Sequence, residues 1–287
     1  MTYVVTGATG NLGRLAVEAL LRRGVPAAQI TATGRRIDTL ADLAAKGVNV
    51  RRADYTDPDS LREAFVGAKR LLFVSSSEVG NRVQQHVNVV RAATDAGVSL
   101  IAYTSIPKAD TSTLLLAEEH RATEALLAES GIAYVLLRNG WYIENYTSQL
   151  PVYLEHNIAG AASAGCISGA TRADLAEASA VVLTQEGHAG ATYELGGMAF
   201  TMTELAEVIS KATGQVVSYT DLAVEEYEQL LVSAGLPPVL AAVIADGDRG
   251  AAQGELYVDT TDLEQLLGRP AAPLADVVSQ AVAALGR

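Results

Sequence analysis

Short apolar runs alternate with amphipathic stretches along the first half of the chain. The runs are rich in β-branched and aliphatic residues, as buried parallel strands are. They are Tyr3–Val5, Gln29–Thr33, Val48–Arg52, Arg70–Val74, Leu100–Tyr103 and Tyr134–Leu137. Stretches with apolar positions at helical spacing separate them. Because helices that connect parallel strands give right-handed crossovers, this pattern predicts an α/β fold with a doubly wound parallel sheet.

The alternation becomes looser from Trp141 onward. The elements predicted there are two short apolar runs, Thr192–Leu195 and Val216–Tyr219, and helices at Thr203–Ala212, Val224–Ala234, Asp262–Leu267 and Leu274–Leu285. Thr203 is the predicted N-cap of the first of these helices. We therefore expect one domain at residues 1–140 and a smaller C-terminal α/β lobe at residues 141–287. Some elements of the lobe should return to the core of the first domain.

Three glycines at intervals of three residues, Gly7, Gly10 and Gly13, connect the first predicted strand to the first predicted helix. Gly7 permits a sharp turn, Gly10 leaves room for a pyrophosphate beside the backbone, and Gly13 lets the helix approach the strand. The loop is completed by the residues between the glycines, which include Thr9, Asn11 and Leu12. Free N–H groups at the start of the helix would face the phosphates. The spacing therefore predicts a Rossmann-type dinucleotide site.

The end of the second strand indicates which nicotinamide cofactor binds. An acid at this position is typical of NAD sites, whereas this chain has Gly34, Arg35 and Arg36. A guanidinium can clamp a 2′-phosphate, so NADP(H) is favoured over NAD(H), with Arg35 as the first choice. Asp54 and Tyr55 end the third strand, where we expect them to flank the adenine. The alternative for Asp54 is a turn or helix-capping role.

Small hydroxyl residues end the fourth strand, at Ser75, Ser76 and Ser77. Ligands of doubly wound sheets lie beyond the carboxyl ends of the strands. We therefore expect these serines beside the nicotinamide ribose, where they can offer hydrogen bonds. The alternative is a polar strand end without a ligand.

The proton donor of a typical short-chain dehydrogenase, a Tyr-x-x-x-Lys pair, is missing from the sequence. His120 lies on the helix after the fifth strand, where that pair is usually found. It is therefore a candidate hydrogen-bond donor to ribose or substrate. The alternative is a partly exposed helix histidine without a role in the site.

A second polar and aromatic cluster follows the sixth strand. Its residues include Asn139, Gly140, Trp141, Tyr142 and Asn145. Aromatic planes beside amides suit a flat, carbonyl-bearing substrate next to the nicotinamide, and Tyr142 and Asn145 are candidate proton donors. A quinone tolerates the loss of a tyrosine acid, because its reduction yields a stabilised phenolate. The alternative is a structural corner that joins the two lobes.

Several strings place the chain in a family. They are Gly7 to Gly13, Ala53-Asp54-Tyr55, Ser75 to Gly80, Ile101 to Ser105, Leu136 to Tyr142, Glu144-Asn145-Tyr146 and Ala170 to Asp174. With these strings the sequence resembles the NmrA-like branch of the atypical short-chain dehydrogenases, and within it the bacterial type-2 NAD(P)H:quinone oxidoreductases. The resemblance implies NADPH held by residues 7–12, Arg35, Ser75 to Ser77, Asn139 to Asn145 and Arg172, and a C-terminal lobe over a quinone pocket.

The resemblance predicts NADPH-dependent hydride transfer to a quinone or a related aromatic carbonyl compound. Two alternatives remain open at this point. One is a tailoring enzyme that acts on an aromatic polyketide quinone. The other is a redox sensor that binds NADP(H) without turnover, as some members of the wider family do.

Composition narrows the remaining possibilities. A net charge of −12 disfavours nucleic acid as a partner, since phosphate backbones need basic patches. No apolar run is long enough to predict a membrane span, and a first strand at Tyr3 leads us to expect no cleavable signal peptide. The single Cys166 and the scattered histidines predict no metal site and fit a cytoplasmic protein. Whether the chain forms a homodimer stays open.

Overall fold

The structure, a computed structural model, describes residues 1–286. Its strands are β1 (Tyr3–Val5), β2 (Ile30–Gly34), β3 (Asn49–Arg52), β4 (Arg70–Phe73), β5 (Leu100–Ser105), β6 (Ala133–Asn139), β7 (Ile158–Gly160), β8 (Ile167–Ser168), β9 (Thr192–Leu195), β10 (Ala199–Phe200) and β11 (Tyr219–Asp221). Seven of them form one sheet in the order β3-β2-β1-β4-β5-β6-β9, and every pair in it is parallel. This confirms the predicted doubly wound α/β fold.

Helices cover both faces of this sheet and build the rest of the chain. They are α1 (Asn11–Arg22), α2 (Ala41–Ala45), α3 (Pro58–Ala64), α4 (Arg82–Asp95), α5 (Leu115–Glu129), α6 (Ile143–Thr147), α7 (Leu150–His156), α8 (Arg172–Thr184), α9 (Met202–Thr213), α10 (Val224–Ser233), α11 (Pro238–Ala252), α12 (Asp262–Leu267) and α13 (Leu274–Leu285). Within residues 1–286, no helix combines the length and apolar character needed to cross a bilayer.

The two faces of the sheet have separate apolar cores. Leu72 of β4 belongs to the core that contains Val17 of α1 and Leu175 of α8. Its neighbour Leu71 belongs to the core on the other face, with Val89 of α4. Successive side chains of a strand point to opposite faces, so a sheet covered on both sides needs apolar residues at every position. This requirement explains the continuous apolar runs in the sequence.

A third core lies among the later elements. It contains Ile143 of α6, Leu205 of α9 and Val278 of α13. Two short sheets accompany it, antiparallel β8–β10 and parallel β7–β11. Strand β9, by contrast, pairs with β6 and extends the main sheet. The second half of the chain therefore contributes both to its own core and to the edge of the first sheet.

Two details of the sequence prediction are wrong in this region. The N-cap of α9 is Thr201, because its side chain accepts the Glu204 N–H while Glu204 reaches back to the Thr201 N–H. Thr203, the predicted cap, lies inside the helix and has no glutamate at the third position after it. The predicted run at Val216–Tyr219 becomes a strand only from Tyr219 onward.

Candidate cofactor and substrate site

The turn between β1 and α1 has the geometry that its glycines predict. Gly7 has a φ of 61°, in the left-handed region that favours glycine. A Cβ on Gly13 would lie 2.4 Å from the Gly7 carbonyl oxygen, so only glycine fits. Gly10 caps α1 without a side-chain bond, and the first turn contains no acidic residue. The N–H groups that begin α1 are therefore available to an anion.

The end of β2 touches this turn. A Cβ on Gly34 would lie 2.5 Å from the Thr9 Cγ2 atom, so Thr9 packs directly on the strand backbone. Arg35 follows immediately, and its side chain is 63% exposed. Its Nη1 atom donates a hydrogen bond of 2.8 Å to Glu78 Oε1. The predicted phosphate-binding cation thus lies beside the glycine turn, with a carboxylate as its partner.

Helix α8 brings a second cation to the same edge of the sheet. Helices α1 and α8 pack against each other. At their C-terminal ends, Arg23 Nε donates to Thr184 Oγ1 at 3.1 Å. The two helices therefore run in the same direction, and their N-terminal ends lie at the same edge. Arg172, the first residue of α8, is consequently on the side of the glycine turn.

Arg172 joins two of the candidate catalytic residues. Its guanidinium lies over the Tyr142 ring, 4.4 Å from the centroid, and donates a 2.6 Å hydrogen bond to Asn145 Oδ1. Glu144 accepts the Arg172 backbone N–H at 2.8 Å. Burial raises the pKa of Tyr142, so its hydroxyl stays protonated at neutral pH. The structure therefore brings Tyr142, Asn145 and Arg172 together.

Asn139, the last residue of β6, has an unsatisfied side chain. The residue is 5% exposed, and the Tyr142 hydroxyl is close to its side chain, but within residues 1–286 no group meets the distance and angle of a hydrogen bond to Oδ1 or Nδ2. An unsatisfied buried polar group costs about 1–3 kcal/mol. Its neighbour Gly140 packs so closely that a Cβ would lie 2.4 Å from the Ser168 carbonyl oxygen. An amide of this kind at the carboxyl end of a strand is available to hydrogen-bond a polar ligand.

The loop after β4, residues 75–78, is called the serine loop here. Hydrogen bonds between its backbone and side chains of β5 and α4 hold it in place. The Ser75 N–H donates to Thr104 Oγ1 at 2.9 Å, and the Ser76 N–H donates to His86 Nε2 at 3.0 Å. Arg82 Nε donates to the Ser76 carbonyl oxygen at 2.7 Å. Side chains of α4 and β5 therefore fix the serine loop, and Ser77 is exposed to solvent.

His86 is a supporting residue that the sequence interpretation missed. Burial lowers its pKa to about 3, so the ring is neutral. Because Nε2 accepts from the Ser76 N–H, the ring proton sits on Nδ1 and is donated to Thr123 Oγ1 at 2.8 Å. The tautomer is therefore fixed by its partners. The sequence offers one weak signal for this supporting role: His86 lies one helical turn after Arg82, which also binds the serine loop.

Three further candidates, His120, Asp54 and Tyr55, have protein partners. His120 is buried, not partly exposed, and its Nδ1 lies 2.7 Å from the Tyr103 hydroxyl. Burial holds its pKa well below the ordinary value, so the ring is neutral. Asp54 accepts from the Thr56 N–H at 3.0 Å and forms a turn. The Tyr55 hydroxyl lies 2.7 Å from the Val74 carbonyl oxygen. Their roles toward a ligand stay predictions.

The sequence and the fold define the class of this protein. Residues 7–186 match the NAD(P)H-binding family. The chain is 50% identical over 277 residues to quinone oxidoreductase 2 of Escherichia coli, and this alignment covers 96% of each chain. It is 30% identical to the NmrA-like family domain-containing oxidoreductase flvB of Aspergillus flavus, over 98% of this chain and 94% of that one. The chain therefore belongs to the NAD(P)H-binding family.

A solved structure shows the particular branch. The crystal structure of the NADPH-dependent quinone oxidoreductase QOR2 from Escherichia coli, complexed with NADPH, superposes with a TM-score of 0.94 at 49% identity. The match covers 97% of this chain and 99% of that one. The expected resemblance to the NmrA-like type-2 quinone oxidoreductases is confirmed.

Proposed function

We propose that this chain is an enzyme that reduces a quinone, or a related aromatic carbonyl compound, with NADPH. The relatives named above support the activity, and the site supports the cofactor. The observation that carries the proposal is the buried Asn139 amide without a partner, at the strand end beside Trp141 and Tyr142. It lies in the sheet whose carboxyl edge also holds the glycine turn.

The residues fit NADPH as follows. The N–H groups at the start of α1 would bind the pyrophosphate, and Arg35 would bind the 2′-phosphate. Arg172 adds a positive charge at the same edge. The remaining cofactor-binding candidates are Asp54, Tyr55, Ser75, Ser76, Ser77, Asn139, Gly140, Trp141, Tyr142 and Asn145. When bound, the reduced nicotinamide supplies a hydride.

The substrate would lie against the aromatic residues that follow β6. Trp141 and Tyr142 offer planar surfaces, and Tyr142 and Asn145 offer hydrogen bonds to a substrate oxygen. In this division, residues 1–140 bind the cofactor and residues 141–287 mainly shape the substrate pocket. We place the reaction in the cytoplasm, which agrees with the free thiol of Cys166.

The test is NADPH oxidation by the purified chain with a panel of simple benzoquinones and naphthoquinones. We expect turnover with several of them, faster with NADPH than with NADH, and a hydroquinone product in equal amount. Tight NADPH binding without turnover on any quinone would contradict the proposal and favour a redox sensor. An Arg35→Ala variant serves as the cofactor control.

A further inference from the structure

A buried carboxyl group lies in the second half of the chain, outside the candidates predicted from sequence. Asp248 of α11 is 9% exposed. Its Oδ2 atom accepts the Ala161 N–H at 2.8 Å. Among the described residues, Oδ1 has no hydrogen-bond partner. A Cβ on Gly160 would lie 2.6 Å from Oδ2, so the backbone presses on one side of the carboxyl and leaves the other oxygen free.

Four tyrosines interact electrostatically with this carboxyl, and the Tyr219 hydroxyl lies next to it, since a Cβ on Gly160 would lie 2.6 Å from Asp248 Oδ2 and 3.4 Å from that hydroxyl oxygen. The charge of Asp248 contributes to raising the pKa of four tyrosines, Tyr146, Tyr153, Tyr219 and Tyr227. These tyrosines come from four different elements, α6, α7, β11 and α10. Only the Tyr219 hydroxyl forms a hydrogen bond to another residue in the described chain. The cluster therefore holds several buried or half-buried donors and one carboxyl oxygen without partners.

Tyr146 contributes a largely buried hydroxyl group to this cluster. The residue is 7% exposed, and its ring packs edge-on against Phe200 at 5.9 Å between centroids. Its hydroxyl has no partner in the structure of residues 1–286. A buried tyrosine normally satisfies its hydroxyl with a partner. A polar group on a ligand that enters the cluster can therefore accept a hydrogen bond from this hydroxyl.

The cluster adjoins the aromatic part of the site. A Cβ on Gly247 would lie 3.1 Å from the Trp141 ring, so the residue before Asp248 packs on that ring. Trp141 follows Asn139 and Gly140 at the end of β6. An aromatic substrate that stacks at Trp141 thus has the Asp248 cluster beside it. The two oxygens of a quinone lie at opposite ends of one ring, so one can face the nicotinamide side and the other this cluster.

We propose that Asp248 is the proton donor of the reaction and that the surrounding tyrosine hydroxyls bind the same substrate oxygen. This inference rests on the proposed quinone reductase function. Hydride transfer brings two electrons and one hydrogen to the quinone, which becomes a hydroquinone monoanion. The Asp248 O–H bond breaks, its proton forms a new O–H bond on the phenolate oxygen, and a neutral hydroquinone leaves. The resulting carboxylate regains a proton from solvent.

The acidities of the neighbouring groups favour Asp248 for this step. Burial, helped by the negative charge of Asp221, raises the pKa of Asp248 to about 6. A phenol has a pKa of about 10, so transfer from this carboxyl to a phenolate is downhill. The tyrosines of the cluster hold their protons more strongly than a free phenol, because burial raises their pKa values. They can donate hydrogen bonds but are poor proton donors.

The pH dependence follows from the groups that face Asp248. Those on neighbouring elements are Asp221, Tyr146, Tyr153, Tyr219 and Tyr227, and those on α11 itself are Asp246 and Arg249, which form an ion pair with each other. Asp248 donates only when protonated. The kcat of the enzyme should therefore be highest below pH 6 and fall about tenfold for each pH unit above it.

The test compares the pH profiles of kcat for the full chain and its Asp248→Asn variant, at saturating NADPH and saturating naphthoquinone. We expect Asp248→Asn to lower kcat about 100-fold at pH 5.5, within the usual range for loss of a general acid, and to flatten the profile. The amide oxygen can still accept the Ala161 N–H, and NADPH titration by Trp141 fluorescence reports whether the variant is folded. Asp59→Asn, an exposed aspartate on α3, is the matched control.

A second variant tests the assignment of the titrating group. Because the charge of Asp221 raises the pKa of Asp248, Asp221→Asn should move the falling limb of the profile to lower pH. Infrared difference spectra should show a protonated carboxyl band that disappears above about pH 6 in the wild type and is missing in Asp248→Asn. An unchanged kcat and profile in Asp248→Asn would overturn the inference while leaving the reductase function intact. Absence of turnover in the wild type at every pH would overturn both.

Discussion

Arg35 and Glu78 form an ion pair that joins the end of β2 to the loop after β4, with 2.8 Å between Nη1 and Oε1. Arg35 follows β2, whereas Glu78 belongs to the serine loop after β4. The second carboxylate oxygen of Glu78 accepts from Gln85 Nε2 at 2.7 Å, which ties the pair to α4. A 2′-phosphate that binds Arg35 must therefore compete with a carboxylate that is already in place.

Replacing Glu78 with glutamine should tighten NADPH binding and leave NADH binding unchanged. The amide removes the charge that competes with and repels the phosphate, yet its oxygen still accepts from Gln85. Exposed ion pairs contribute about 0–1 kcal/mol, so the Kd for NADPH should fall by up to about fivefold. Trp141 fluorescence titrations with both cofactors measure the change. A weaker or unchanged affinity for NADPH would show that Glu78 positions Arg35 instead of competing for it.

Replacing Arg35 with alanine should remove the preference for NADPH. Hydrogen bonds to a charged group contribute about 1.5–3 kcal/mol, so the Kd for NADPH should rise roughly 10- to 150-fold while that for NADH changes little. The matched control is Arg36→Ala, which removes an exposed neighbouring cation. If Arg36→Ala shows the larger loss, the 2′-phosphate is bound by the second arginine.

The sequence predicted the first sheet well because its signals are local. The central strands β1, β4, β5 and β6 each contain a continuous apolar run, unlike the edge strands β3 and β9, and the glycine spacing marks the turn before α1. Helix α11 was missed, because the sequence pattern predicted no element between the helices at Val224–Ala234 and Asp262–Leu267, whereas α11 begins there with Pro238 as its first residue. Asp248 was missed with it.

Other parts of the site depend on contacts between distant residues. The N–H donor to His86 is ten positions away and its hydroxyl partner is thirty-seven positions away, so no short motif reveals the role of this residue. Arg172 came from the resemblance to a family and not from periodicity. Its position at the same edge of the sheet as the glycine turn follows only from the packing of α8 along α1. The charge of Arg35 was evident from sequence, but its pairing with Glu78 was not.

Replacing Gly13 with alanine should destabilise the protein as well as weaken NADPH binding. The added Cβ would meet the Gly7 carbonyl oxygen at 2.4 Å, so the backbone of the turn must shift. Overpacking of this kind costs about 1–3 kcal/mol, which urea unfolding can measure. Gly10→Ala is the comparison, because its Cβ would approach the same oxygen only to 3.3 Å. Equal losses of stability in both variants would contradict this explanation.

The buried histidines should make the protein less stable in mild acid. Burial lowers the pKa of His86 from its ordinary value of 6.5 to about 3, and that of His120 also falls. Between these pH values the unfolded chain binds more protons than the folded one, so stability rises with pH and is complete above about 6.5. For each pH unit below 6.5, each buried histidine should lower the free energy of unfolding by about 1.4 kcal/mol.

Urea unfolding at pH 7, 6 and 5 measures the slope of this free energy against pH. His86→Gln keeps an acceptor for the Ser76 N–H and should reduce the slope by about one proton. A slope that His86→Gln does not alter would mean that the His86 ring can take up a proton in the folded protein.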